Sequence, residues 1–438
     1  MNVLKVSKRL SRGEYSSFAG HYPEKKKLPA VRMGGVVTGY TLAALLLSLT
    51  WADHPHHPHH HHEAELSCHT LSPFNSNFAF ALYKRLNTEA AAGTNIFFSP
   101  LGISTALSVL SAGASGETHR QLFSTLGYET LNQTQVNKAY ENLFHMLGHS
   151  HENKQLNVGN AVALRSDFSP LEKFLKVVRH YYSAEIFSVD LTKPGDAAAE
   201  INTFIANKTH DMIKDAVKDL SPAMVMMLIN YVYFKGQWTK PFNINPAYKA
   251  DFHVNPTTKV QVDMMRRTDH YHVYFDAANH TTVIKLLYKG NASMMIILPD
   301  EGKMEEVEGF ISAEHMRNWH KLLSEQYVKL HLPKFSISTE ASLEQTLKEM
   351  GITDAFEDRA DFSGVSDTAK LKVSKVTHKA ALNVNEMGTE ASATTIIQLL
   401  GSSLSPTIRV DKPFLVCIWD HSIKSILFMG KINDPTAK

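Results

Sequence analysis

Cysteine is scarce in this chain of 438 residues, where only Cys68 and Cys417 occur. That excludes a disulfide scaffold and cysteine-rich zinc modules. Charge of one sign is missing as well, since 45 basic residues balance 43 acidic ones to a net +2. Such a balance speaks against a nucleic-acid footprint or a basic membrane-binding face. Catalytic signatures are absent too. Gly113-Ala114-Ser115-Gly116 has the wrong spacing for a nucleophile elbow, and His62-Glu63 and His151-Glu152 lack the second histidine of a zinc-protease helix. No phosphate loop, dinucleotide fingerprint or C-x-x-C appears. The expectation is therefore a protein that is not an enzyme and takes no cofactor and no metal, with a triad scattered over an unrelated fold as the rival reading.

What is present begins at the N-terminus. Gly34 to Thr50 is an apolar run behind Lys25, Lys26, Lys27 and Arg32, and it ends on the small residues Thr50 and Ala52. A charged flank, a short apolar core and a small-residue end are the parts of a secretory signal peptide. The run falls short of the roughly 20 residues of a membrane span, although a type II anchor is the rival. Met33 suits a translation start, which makes residues 1–52 an upstream extension plus signal. Residues 53–65 hold seven histidines within nine positions. Such low complexity cannot pack a core and reads as a disordered tail, with zinc or copper binding as the alternative. Four sequons follow, at Asn132, Asn207, Asn279 and Asn291. Behind a signal peptide they describe a secreted glycoprotein.

With 43% hydrophobic residues and no linker or repeat, residues 66–438 read as one domain. Phe74, Phe78, Ala81 and Leu82 fall at helical spacing. Ser99-Pro100 opens a second helix as N-cap and first position, and Gly113 stops it. Gly116–Leu126 is a third helix, closed by Gly127. Val225–Phe234 is nearly all apolar, which suits a strand covered on both faces. Met294–Leu298 is similar, and Val328, Leu330 and Leu332 alternate with polar residues. Residues 412–420 and 425–431 form a closing hairpin. The whole is mixed α/β of the α+β type.

Ordered blocks from about Leu71 to Lys438 now carry a resemblance. They are Asn95-Ile-Phe-Phe-Ser-Pro-Leu-Gly-Ile-Ser104, Gly113-Ala-Ser-Gly-Glu-Thr118, Asn230-Tyr-Val-Tyr-Phe-Lys-Gly-Gln-Trp238 and Gly290-Asn-Ala-Ser293. Leu330-His-Leu-Pro-Lys-Phe335, Val384-Asn-Glu-Met-Gly-Thr-Glu390, Asp411-Lys-Pro-Phe414 and Leu427-Phe-Met-Gly-Lys431 continue it. The chain resembles the serpins, and within them the alpha-1-antitrypsin-like group. The resemblance implies three β-sheets, eight or nine helices and an exposed reactive loop. It implies a suicide inhibitor of serine proteases of the chymotrypsin fold, acting as a monomer, with a non-inhibitory carrier of a small apolar hormone as the alternative. It places Ser99, Ser104, Asn230 and His331 in a polar cluster that controls opening of the main sheet. Trp238 and Glu386 fall where loop insertion begins, and Arg266 is a candidate partner for Glu386. The region of the family's polyanion-binding helix holds few bases, Lys138 and Lys154 besides histidines, so heparin is not expected to matter.

In the resemblance Gly388 to Thr395 is the hinge that enters the main sheet after cleavage, the mode of strand addition known for serpin loops. As a strand, Thr389, Ala391, Ala393 and Thr395 share one face, and Glu390, Ser392 and Thr394 the other. The first set is small and uncharged, so it can enter a packed interior without overpacking or burying charge. A small-residue surface loop would look alike. Residues 388–402 span roughly 50 Å when extended at about 3.3 Å each. That matches the diameter of about 50 Å expected for the domain, so insertion would carry an attached protease to the far pole. The register places the cleaved bond at Ser402–Ser403, with Leu400–Gly401 as the runner-up. No Lys or Arg lies between Thr389 and Ile408, which points to elastase-like or chymotrypsin-like targets. Trypsin should retain full activity after incubation with the protein; rapid stoichiometric trypsin inhibition would overturn this register.

Overall fold

The computed structural model describes residues 67–148, 154–243, 247–368, 370–387 and 405–437. The expected extension, signal peptide and His-rich tail (1–65) and the hinge and bait residues (388–403) lie outside them.

The helical block opens with α1 (Ser72–Glu89), which has Pro73 in its first turn. A short strand β1 (Ile96–Phe98) leads to α2 (Pro100–Gly113), where Ser99 caps as the sequence requires, its Oγ accepting from Gly102 N at 3.1 Å. Almost every position of α2 is buried. It is a core helix enclosed on all sides, not an amphipathic surface one. α3 (Gly116–Leu126) ends at Gly127 with φ +80°, the left-handed conformation that glycine adopts without a Cβ clash. α4 (Gln133–Gly148) starts from a reciprocal cap. Asn132 Oδ1 accepts from Gln135 N and Gln135 Oε1 accepts from Asn132 N, each at 2.9 Å.

Strands then interleave. β2 (Lys154–Arg165), α5 (Glu172–Tyr182), β3 (Glu185–Val189), α6 (Pro194–Lys208) and β4 (Met226–Gly236) come first. After them run β5 (Tyr248–Asn255), β6 (Thr258–Asp276), β7 (Thr281–Leu287) and β8 (Ala292–Pro299). Helices α7 (Met304–Phe310) and α8 (Ala313–Leu322) precede β9 (Ser324–Pro333) and β10 (Phe335–Ser342). The short α9 (Glu344–Glu349), β11 (Val373–Val384), β12 (Thr407–Arg409) and the hairpin β13 (Phe414–Asp420) with β14 (Ser425–Ile432) complete the described residues.

Hydrogen bonds join these strands into a five-stranded sheet, β10-β11-β4-β2-β3, and a nine-stranded one. The latter runs β1-β14-β13-β8-β7-β6-β9-β12, with β5 also on β6. Three sheets were implied by the resemblance. The described residues form two because the 19-residue β6 pairs with β5 near its start, β7 near its end and β9 between, fusing what would be separate sheets.

β4 explains how the five-stranded sheet is held. Its run, apolar but for Asn230, is buried through nine consecutive positions, because both faces are covered. Met226, Leu228, Val232 and Phe234 enter the main core that also holds Leu101, Leu107 and Leu110 of α2. Met227, Ile229, Tyr231 and Tyr233 enter a second core with Ala197, Ile201 and Ile205 of α6. α2 approaches β4 closely at Gly102. A Cβ there would lie 2.5 Å from Asn230 Oδ1 and 2.6 Å from Val232 Cγ2. Alanine is the better helix former by about 1 kcal/mol, yet Gly102→Ala should destabilise the protein, since overpacking costs typically 1–3 kcal/mol. Chemical denaturation of the two forms checks the sign.

Candidate functional site

The two central strands of the five-stranded sheet meet along a parallel ladder. β4 and β11 pair from Met226↔Val373 to Phe234↔Leu382, while β2 lies antiparallel on the far side of β4 and β10 antiparallel on the far side of β11. β11 is also the strand from which the chain leaves toward residue 388. The joint is paired along its length except for an irregularity between Val373 and Lys375, and a polar cluster crosses it halfway.

At that point Asn230 of β4 and His378 of β11 are register partners, and both are buried. His378 Nε2 accepts from the backbone N of Ser99, at the start of α2, at 3.0 Å. An acceptor at Nε2 puts the proton on Nδ1, which donates to Asn230 Oδ1 at 2.6 Å. The Asn230 amide then donates to Gly159 O at 3.1 Å and Asn160 Oδ1 at 2.9 Å on β2. One chain of hydrogen bonds thus runs from α2 through β11 and β4 to β2. Burial pushes the His378 imidazole down to about 3, because a charged ring would lose hydration and turn Nε2 into a second donor facing an N–H. Ser104 Oγ and Asn160 Nδ2 are buried with no partner among the described residues, so the closed joint leaves hydrogen-bonding capacity unused.

Three of the four expected cluster residues lie where the sequence puts them: Ser99, Ser104 and Asn230 are fully buried on α2 and β4. His331 does not belong with them. It sits on β9 in the other sheet, where its Nδ1 meets Tyr248 Oη at 2.7 Å. The histidine of the joint is His378, and the reason is topological. A residue can bridge the joint only from a strand that borders it, and β11 borders it whereas β9 does not. The signal was present in the sequence, since His378 lies eight residues before Glu386, on the strand that runs into the loop.

The upper end of the joint is fastened by Trp238, which is buried and stacks on Tyr288 with ring centroids 4.2 Å apart. Its Nε1 donates to Asn385 O at 2.9 Å, and Phe242 N donates to Glu386 O at 2.8 Å. Glu386 forms an ion pair with Lys334 at 2.9 Å, not with Arg266. Arg266 lies on β6 over the ring of Tyr248, while Lys334 follows β9 at the edge of the five-stranded sheet. On the other side of residues 388–404, Pro406 O accepts from Lys329 N at 2.9 Å, and Thr407–Arg409 pairs with β9.

Asn132, Asn207 and Asn291 are exposed, whereas Asn279 is half-buried and its amide donates to Asp276 Oδ2 at 2.7 Å. Cys68 and Cys417 are both free and buried, and burial pushes the Cys417 thiol up to about 12. No group of His, Cys, Asp and Glu among the described residues is arranged to hold a metal ion.

A family model described as Serpin (serine protease inhibitor) matches residues 73–435. The alpha-1-antitrypsin homolog of Cyprinus carpio is 54% identical over 321 residues, covering 73% of this chain and 86% of that protein. Thyroxine-binding globulin of Sus scrofa is 39% identical over 373 residues, covering 84% and 90%. Among solved structures, human thyroxine-binding globulin complexed with its hormone superposes with a TM-score of 0.80 at 37% identity, covering 84% of this chain and 100% of that one.

The depressed imidazole has a pH signature. In the unfolded chain a histidine titrates near 6.5, whereas His378 in the fold binds a proton only near 3. Between those values the unfolded state holds more protons, so the stability His378 contributes is complete above pH 6.5 and falls away as the pH drops toward 3. Its slope approaches 1.36 kcal/mol per pH unit. His331, lowered to about 4, acts in the same direction. Melting temperatures between pH 7.5 and 4.5 should fall with acidification, and His378→Gln and His331→Gln should each flatten that fall.

Proposed function

The chain belongs to the serpin family, and from that premise we propose that it is a secreted serine protease inhibitor that traps its target by inserting the cleaved loop between β4 and β11. The parallel ladder between these two strands, lying next to the loop's own strand, carries the reading. A segment that turns back beside β11 runs antiparallel to it. Because β4 is parallel to β11, the same segment is antiparallel to β4 as well. Insertion therefore replaces one parallel ladder with two antiparallel ones, and antiparallel pairing is slightly the more stable per residue. No other joint in this sheet offers that exchange next to the loop, since β10 and β11 are already antiparallel.

Length supports the same mechanism. β11 is 12 residues long. After a short turn beyond Glu386, a strand of equal length descending beside it reaches about residue 400. Both candidate bonds, Leu400–Gly401 and Ser402–Ser403, would then arrive at the end of the sheet near Val373. The face formed by Thr389, Ala391, Ala393 and Thr395 is small enough to lie over α2. Opening the joint must break the bond between His378 and Asn230. The reacting serine belongs to the protease, whose acyl-enzyme is distorted before water can release it. The absence of Lys and Arg from residues 389–408 supports a target with a small or apolar specificity pocket. The signal-like run at residues 34–50 and the exposed sequons support secretion and glycosylation, and among the described residues no helix is long and apolar enough to cross a membrane.

The likeness to thyroxine-binding globulin supports a second reading, a carrier of a small apolar hormone on the same fold. Incubation with elastase-like and chymotrypsin-like proteases should give a complex that survives denaturing electrophoresis, and clipping the loop should raise the melting temperature by tens of degrees. A clipped molecule with unchanged melting, beside fully active proteases, would remove the inhibitory reading.

A further inference from the structure

The sheet that holds the segment after the loop carries exposed cations that no ion pair among the described residues engages. Arg409 of β12, His331 of β9 and Arg266 of β6 are register partners in one cross-strand row. Lys329 precedes His331 by two residues and points to the same face. Arg266, Lys329 and Arg409 are exposed, and among the described residues no ion pair engages any of them. Neighbouring basic residues are neutralised: Lys249 by Asp263, Lys259 by Asp251 and Lys334 by Glu386.

The row is also ordered. Tyr248 of β5 lies edge-on to His331, ring centroids 5.9 Å apart. Its hydroxyl accepts from Arg409 Nη1 at 3.3 Å and meets His331 Nδ1 at 2.7 Å, and the Arg266 guanidinium stands 6.0 Å over its ring. The other ring nitrogen of His331, Nε2, is a buried atom with no partner among the described residues. Burial, and then Arg409, Lys329 and Arg266 in that order, depress this imidazole. All three cations therefore act on one point. Strands lie about 4.8 Å apart, which sets the two arginines about 10 Å from each other.

The geometry points to Arg266, Lys329 and Arg409 as a docking surface for an acidic patch beside the active site of the target protease. This rests on the inhibitory reading and adds a determinant of which protease is met. Location selects the partner. Ser403 is four residues from Thr407, at most about 14 Å of extended chain, so a protease seated on the bait covers this row. Three cations across three strands make a compact spot suited to a protein surface, where a long polyanion would favour an extended stripe. Complementary charge here speeds encounter more than it strengthens the final complex.

The test compares the wild-type chain with Arg266→Gln/Lys329→Gln/Arg409→Gln, and with Lys329→Gln alone as the variant least able to disturb the fold. Association rates with active proteases of differing surface charge are measured from low to high salt. Binding of the same proteases with their serine replaced by alanine is measured in parallel. The expected result, for proteases with an acidic rim, is a loss of about tenfold or more in association rate and in docking at low salt, and a flatter salt dependence. The stoichiometry of inhibition and the melting gain on cleavage should stay as in wild type. Equal rates for both forms at every salt would overturn the surface while leaving the inhibitor reading intact. A loss seen only when heparin is added would also overturn it, making the row a polyanion site. If the wild type neither binds the inactive proteases nor traps the active ones, the inhibitory reading itself falls and this surface falls with it.

Discussion

A parallel ladder at the centre of a sheet, between β4 and β11, is the constraint on which the rest of the molecule turns. Parallel neighbours are normally joined by a crossover and buried on both faces, and here both conditions hold. β11 also runs directly toward residue 388, where the segment proposed to insert begins. On the proposed mechanism that segment would supply an antiparallel partner to both strands.

Polar chemistry ties the two strands together halfway along the joint. Asn230, His378 and Ser99 tie both strands to a helix that cannot move alone, since α2 is buried along almost its full length. Gly102 lets the helix come close enough for this, and the neutral imidazole is held by its surroundings in the one tautomer that satisfies both neighbours. A buried polar network of this kind contributes little when complete and costs much when broken. On the proposed mechanism it would set a threshold for opening. Trp238, Phe242 and Lys334 do the same at the upper end by holding Asn385 and Glu386.

The nine-stranded sheet serves the opposite purpose. It holds the segment after the loop through the pairing of β12 with β9, and on the proposed mechanism cleavage would then free only the upstream side. The same anchoring sets Arg409 in one cross-strand row with His331 and Arg266. On the proposed reading, insertion and encounter would then fall to different sheets.

Much of this was legible in the sequence. Helix ends followed from Ser99, Pro100 and Gly127, whose backbone preferences are local. The doubly buried central strand followed from an apolar run with no alternation. The small-residue face of the hinge and the lack of bases in the bait are properties of composition. Strand order decided which histidine bridges the joint, with a hint in the place of His378 on the strand that runs toward the loop, and tertiary structure alone decided which base meets Glu386. His331 and His378 both stand on largely apolar strands, and Arg266 in the middle of β6 and Lys334 between β9 and β10 are both basic, so residue type does not separate them. The choice depends on strand order and register, which are set by long-range pairing and not by any residue's own neighbours in the chain.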